Sequence, residues 1–230
     1  MIMKIFLCIG IVPLLAIASI AFDCNEYSCK SNHTLCKYPN PEPSPACGWV
    51  FSTGFTDEEK AKILQQHNDL RVYVAAGLEK RGVSGPQPPA SNMKTLIWDD
   101  GLAEVAQRWA NQCEFGHDQC RNDASDGYVG QNSAWSQWFN EAGIRFEQLV
   151  QSWYDEVKDF DRNQISQLTG ENFGQVAHYT QIVWANTDRI GCGKIEYNMP
   201  HSPWTTLYLV CNYGPGGNII DEPIYEIRQL

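Results

Sequence analysis

The run that decides this chain's fold starts at His178-Tyr179-Thr180-Gln181-Ile182-Val183-Trp184. It continues through Ile190-Gly191-Cys192-Gly193-Lys194-Ile195-Glu196-Tyr197 and Thr206-Leu207-Tyr208-Leu209-Val210-Cys211. The first segment reads as a short helical piece. The next two are β-rich and separated by a Pro- and Asn-containing turn region, which predicts two paired strands. Cys192 and Cys211 can face each other across that hairpin, since a bridge needs α-carbons only about 5.5 Å apart.

Helices precede the strands. Thr56-Asp57-Glu58-Glu59 is a capping box, and Ile63, Leu64, Leu70 and Val74 follow at helical spacing until Gly77. Gly82 to Ala90 reads as a rigid loop. Asp99 or Asp100 caps a second helix, on which Leu102, Val105, Ala106, Trp109, Ala110 and Cys113 share one face. A third is expected from about Arg145 to Phe160, with Phe146, Leu149, Val150, Trp153 and Val157 aligned. Helices first and strands later predict an α+β domain, not a wound βαβ sheet.

The N-terminus sets the compartment. Lys4 precedes an apolar run from Ile5 to Ile20, and Ser19-Ile20-Ala21 supplies small residues for cleavage. The run is about 16 residues, short of the roughly 20 that a membrane span needs. Residues 1–21 therefore read as a signal peptide, and the protein is expected to be secreted, extracellular and not membrane-spanning. Its removal leaves about 208 residues, enough for one core. Lys4 leaves with the leader and no acid does, which takes the net charge from −10 to −11. That acidity argues against nucleic acid and anionic membranes as partners.

Of nine cysteines, Cys8 leaves with the leader. An even set remains: Cys24, Cys29, Cys36, Cys47, Cys113, Cys120, Cys192 and Cys211. In an exported chain this predicts four disulfides, and no pair of CxxC knuckles favours zinc instead. Residues 22–55 hold four of the eight, few aliphatics and the alternating prolines of Tyr38 to Pro45, so they read as a stapled extension. Asn32-His33-Thr34 within it is a glycosylation sequon.

Four phrases set polar groups among aromatic ones: Cys113-Glu114-Phe115-Gly116-His117, Val129-Gly130-Gln131-Asn132, Trp153-Tyr154-Asp155-Glu156, and the His178–Trp184 segment. Two histidines distant in sequence do not by themselves establish a shared site. The segment His178-Tyr179-Thr180-Gln181-Ile182-Val183-Trp184 resembles the first signature of the CAP superfamily. Tyr208-Leu209-Val210-Cys211-Asn212-Tyr213-Gly214-Pro215-Gly216-Gly217-Asn218-Ile219 resembles the second. Gly85-Pro86-Gln87-Pro88-Pro89-Ala90, Ala106-Gln107-Arg108-Trp109-Ala110-Asn111-Gln112-Cys113 and Glu156-Val157-Lys158-Asp159-Phe160 resemble the antigen-5 venom-allergen branch of stinging insects.

The resemblance implies an α-β-α sandwich with a small antiparallel sheet between helices. It makes residues 56–230 the CAP domain, behind the extension at 22–55. It implies the pairs Cys24–Cys36, Cys29–Cys120, Cys47–Cys113 and Cys192–Cys211. It also implies a cleft of two histidines and two acids, which fall on His117, His178, Glu156 and Gln131. The second acid is thus a glutamine, since Gly-Glu-Asn reads Gly130-Gln131-Asn132, and Ala177 replaces a usual glycine. A neutral amide orients neighbours but cannot serve as a general base.

The function expected is that of a secreted, non-enzymatic venom or salivary protein, an allergen acting by binding an unidentified extracellular target as a monomer. Its known partners would be antibodies. No cofactor is required, and His117 with His178 would hold zinc only weakly, because catalytic zinc usually has three protein ligands. A lipid or sterol carrier is one alternative, motivated by some relatives and by 27 aromatic residues (8 Trp, 10 Tyr, 9 Phe), which equally suit a core. A weak metal-dependent hydrolase is the other. Ser133 and Thr180 are the hydroxyls near the motifs, and no Gly-x-Ser-x-Gly or His-Glu-x-x-His occurs.

Overall fold

The computed structural model describes residues 22–123, 127–140 and 143–229. The expected signal peptide lies outside them. The extension opens with two single 3₁₀ turns and the short helix α1 (Thr34–Lys37), then reaches strand β1 (Trp49–Thr53). Helix α2 (Asp57–Ala75) starts at the capping box: Glu59 N–H donates to Thr56 Oγ1 at 3.2 Å, and Thr56 N–H donates to Glu59 Oε2 at 2.9 Å. Each satisfies a helix-end donor that has no intrahelical partner. Gly77, at φ +71°, turns the chain away after the last turn, as a glycine past a helix end does.

Strand β2 (Ile97–Trp98) leads into α3 (Asp100–Ala110), whose N-cap is Asp99. The helix stops three residues before Cys113, which takes φ +56° and turns the chain out of line. Strand β3 (Gly130–Trp138) follows, then α4 (Phe146–Asp155). The third helix expected to run to Phe160 tightens into a 3₁₀ turn at Glu156–Asp159. Helix α5 (Phe173–Ile182) contains His178, and Trp184 lies beyond its end. Strands β4 (Arg189–Asn198) and β5 (Thr205–Gly214) complete the chain's regular structure.

The sheet order is β1-β4-β5-β3, with every neighbour antiparallel and β2 adding a short parallel pairing to β4. Alternation along β5 splits its side chains between two helical layers. Leu207, Leu209, Cys211 and Tyr213 join the cluster built with α2, α4 and α5. Tyr208 and Val210 join Ala106, Trp109 and Ala110 of α3. Helices thus cover both faces of a small antiparallel sheet, the sandwich the fold class calls for. Each large apolar side chain so buried contributes about 1.5–3 kcal/mol.

Gly191 and Gly193 let α3 lie close on its face. A Cβ at either would collide with the backbone of Ala103 or Gln107. On the opposite face, Arg71 is 1% exposed and donates to the carbonyls of Lys94, Ile182, Trp184, Ala185 and Thr187. A buried guanidinium thereby ties α2 to the chain leaving α5.

The disulfides are Cys24–Cys36, Cys29–Cys120, Cys47–Cys113 and Cys192–Cys211. The last joins residues directly opposite in the β4–β5 register. Two others fasten the extension to the end of α3 and to the loop after it. Strand β1, within the last residues of that extension, pairs with β4 and is part of the sheet itself.

Candidate functional site

Four structural elements bring the motif residues together at the Gly130 end of β3. His117 comes from the loop after α3, Gln131 from β3, Glu156 from the 3₁₀ turn after α4, and His178 from α5. A cleft of about 320 Å³ opens there, with His117, Gln131, Asn132, His178, Arg121 and Asn218 on its wall. Glu156 is not on that wall. It stands behind His178 and reaches the cleft only through the ring.

The hydrogen-bond network fixes the orientation of each group. Gln131 Nε2 donates to Asp118 Oδ1 at 3.1 Å and to Asn212 Oδ1 at 2.9 Å. Asn212 Nδ2 in turn donates to the Leu102 carbonyl at 3.2 Å, so its oxygen is the acceptor presented to Gln131. With both amide hydrogens committed, Gln131 Oε1 must face His117 Nδ1, 2.7 Å away. His117 therefore carries its hydrogen on Nδ1, and in the neutral ring Nε2 holds the lone pair.

Glu156 imposes the same tautomer on His178. Its Oε1 lies 2.6 Å from His178 Nδ1, while Oε2 accepts the backbone N–H groups of His178 and Tyr179 at 3.0 and 3.1 Å. Trp153, buried, stacks on the His178 ring with centroids 5.9 Å apart and planes at 19°. Asn132 Nδ2 donates to the His178 carbonyl at 3.1 Å, joining α5 to β3.

Desolvation lowers the pKa of His117. The Gln131 bond and Asp118 oppose that fall, and the charges of Arg121 and His178 reinforce it. The imidazole is thereby biased toward its neutral, lone-pair-bearing form.

Asp118 belongs to this hydrogen-bond network, and sequence reasoning missed it. It is 5% exposed and accepts from Thr34 Oγ1, Arg121 Nε and Gln131 Nε2. Its position next to His117 was the available signal. The two candidate hydroxyls are not placed as nucleophiles. Thr180 Oγ1 is buried and engaged with the Val176 and Ala177 carbonyls and Asn218 Oδ1. Ser133 is buried on β3. All eight cysteines of the described chain are in disulfides. Among the described residues, no three His, Cys, Asp or Glu side chains converge as a metal set.

Helices on both faces of the sheet, four disulfides and this cleft define the class, and comparison with known proteins agrees. The family model for the cysteine-rich secretory protein family matches residues 64–213, and the chain belongs to that CAP family. It is similar to insect venom allergens of the antigen-5 kind. It is 50% identical over 211 residues to Venom allergen 3 of Solenopsis invicta, covering 90% of this chain and 89% of that protein. Venom allergen 5 of Dolichovespula arenaria is 50% identical over 199 residues, covering 86% and 95%. Among solved structures, NaASP2 with Zn2+ superposes with a TM-score of 0.62 at 32% identity, covering 76% of this chain and 89% of that one. No helix among the described residues is long and apolar enough to cross a membrane.

Proposed function

We propose that the protein is a secreted venom or salivary protein of the antigen-5 type that acts by binding an extracellular target and performs no catalysis. The leader read in residues 1–21 and the venom allergens the chain resembles support secretion. The observation that carries the non-catalytic reading is the fixed amide of Gln131. It occupies the place of a second carboxylate with both hydrogens and its oxygen engaged, so the cleft wall offers no general base beyond the imidazoles. Among the described residues, Thr180 Oγ1 is engaged, Ser133 is buried and all eight cysteines are in disulfides, so none of these nucleophiles is left to be activated.

Zinc is not required in this reading. The Nε2 atoms of His117 and His178 would hold it, and NaASP2, a related fold, has been solved with that ion. Two nitrogens are one fewer than the usual protein set for catalytic zinc, which makes binding weak. When bound, zinc would supply Lewis acidity, and this chain's residues would only orient the two imidazoles.

A broad peptidase and esterase screen of the full secreted chain, with and without zinc, tests the proposal. No turnover is expected in either condition. Turnover abolished by Glu156→Gln would overturn it.

A further inference from the structure

The N-terminal extension reaches the polar network of the cleft through Thr34. This residue opens α1, is buried, and lies 84 positions before Asp118 in the sequence. Its hydroxyl has one hydrogen and two acceptors in reach, Asp118 Oδ2 and the Cys120 carbonyl at 2.9 Å. The Thr34 N–H already serves that carbonyl, also at 2.9 Å. A carboxylate is besides the stronger acceptor. The hydroxyl hydrogen therefore goes to Asp118 Oδ2.

That bond decides what the other carboxylate oxygen does. Asp118 Oδ1 accepts from Arg121 Nε and, at 3.1 Å, from Gln131 Nε2. A carboxylate beside a guanidinium tends to turn both oxygens to it. Here Thr34 holds Oδ2, and Arg121 Nη2 donates instead to the Asp118 carbonyl at 2.8 Å. Oδ1 is thereby kept where the Gln131 amide can reach it, and that amide aims its oxygen at His117 Nδ1. His178 is held independently, because Glu156 accepts its Nδ1 hydrogen and shares no partner with Asp118.

We propose that Thr34 and Asp118 are positioning residues of the cleft, which act through Gln131 to keep the His117 hydrogen on Nδ1 and its Nε2 lone pair facing the cleft. The proposal rests on the reading of this cleft as the binding site. The Cys29–Cys120 bridge serves the same end, since it ties the loop after Asp118 to the turn before Thr34. Without the Thr34 hydroxyl, Asp118 turns to Arg121 and Gln131 keeps only its bond to Asn212. His117 then loses a fixed acceptor and populates both tautomers, while His178 does not change.

Ring ¹⁵N spectra of the full secreted chain, labelled at histidine, test this at about pH 8, above the ordinary imidazole pKa of ~6.5. Every form carries Asn32→Gln, an exposed change, so that loss of the sequon in Thr34→Val plays no part. The parent and Thr34→Ser should show the His117 hydrogen on Nδ1. Thr34→Val, which keeps the shape and loses the hydroxyl, should show a mixture at His117 and none at His178. Zinc should bind Thr34→Val about tenfold more weakly than Thr34→Ser. A His117 ring unchanged in Thr34→Val would overturn the proposal, and so would a His178 ring that shifts along with it. If Thr34→Val does not fold, the parent decides: its Thr34 hydroxyl proton should exchange slowly with water, and fast exchange would overturn the assignment. A parent that takes no zinc, yet loses the fixed His117 tautomer in Thr34→Val, refutes the metal reading of the cleft and supports this one.

Discussion

Gln131 receives the Nδ1 hydrogen of His117 at 2.7 Å while its own two hydrogens go to Asp118 and Asn212. The glutamine is therefore more than a carboxylate without charge. Gln131→Glu would set an oxygen against the Asp118 carboxylate and the Asn212 amide oxygen. Loss of two donors in a partly buried site should cost about 1–3 kcal/mol at pH 7. The cost should shrink as acid protonates the new carboxyl. Urea unfolding of both forms at pH 7 and pH 4 reads this, and a variant as stable as wild type at pH 7 would refute the amide assignment.

Zinc affinity should depend on both imidazoles. His117→Ala or His178→Ala should each reduce it at least tenfold, because one nitrogen is left. Binding should fade below about pH 6, where protonated imidazoles no longer donate to metal. Calorimetry across pH 5 to 8 checks this. Tight binding that survives His117→Ala would place the metal elsewhere.

His67 gives the fold an acid limit. Its ring is buried, with Nδ1 on the Ile63 carbonyl at 2.8 Å and Nε2 on Tyr213 Oη at 3.0 Å. Burial pushes its pKa down to about 4, and the nearby charge of Arg71 acts in the same direction. Unfolded, the ring titrates near ~6.5. Between those values the unfolded chain holds a proton that the folded chain does not. Stability present above about pH 6.5 is therefore lost as pH falls toward 4, by about 3 kcal/mol. His33, whose pKa burial also lowers, adds to the same trend. From pH 7 to pH 4.5, wild type should lose about 2–3 kcal/mol more than His67→Gln. Parallel losses in urea titrations would remove His67 from the account.

Any glycosylation at Asn32 has to precede folding. Asn32 is exposed, but Thr34 of the same sequon is 1% exposed, its hydroxyl bonded to Asp118 and to the Cys120 carbonyl. The enzyme reads the sequon only while Thr34 is still free. Cys120→Ser, which removes the Cys29–Cys120 bridge, should raise occupancy in secreted protein, seen as a larger mass loss on glycosidase treatment. Equal modification of the prefolded protein in vitro would contradict this order.

Much of the helical layer was legible, because a capping box and an apolar stripe are local signals. Thr56–Glu59 and the Leu102–Ala110 face are examples. Strand β3 was not legible. Its residues Gly130 to Trp138 are rich in Gln, Asn and Ser, which face a hydrogen-bonded network and so break the apolar alternation that marks a strand. Strand β1 hid in a segment dominated by cysteine and proline. In the site, spacing alone could not join His117 to His178, and the resemblance named both. Asp118 and Arg71 escaped because burial of a charge is invisible until the partners are placed.

The pattern of cross-links bears on how the protein fails in a protease-rich fluid. The Gly82–Gly85 turn is largely exposed, and it lies inside the rings closed by Cys29–Cys120 and by Cys47–Cys113. A cut there yields two pieces that remain covalently joined at two points, with β1 still paired to β4. Cleavage at that turn would leave one particle with its surface shape intact. Antibody recognition should then outlast the integrity of the backbone, until a reductant acts.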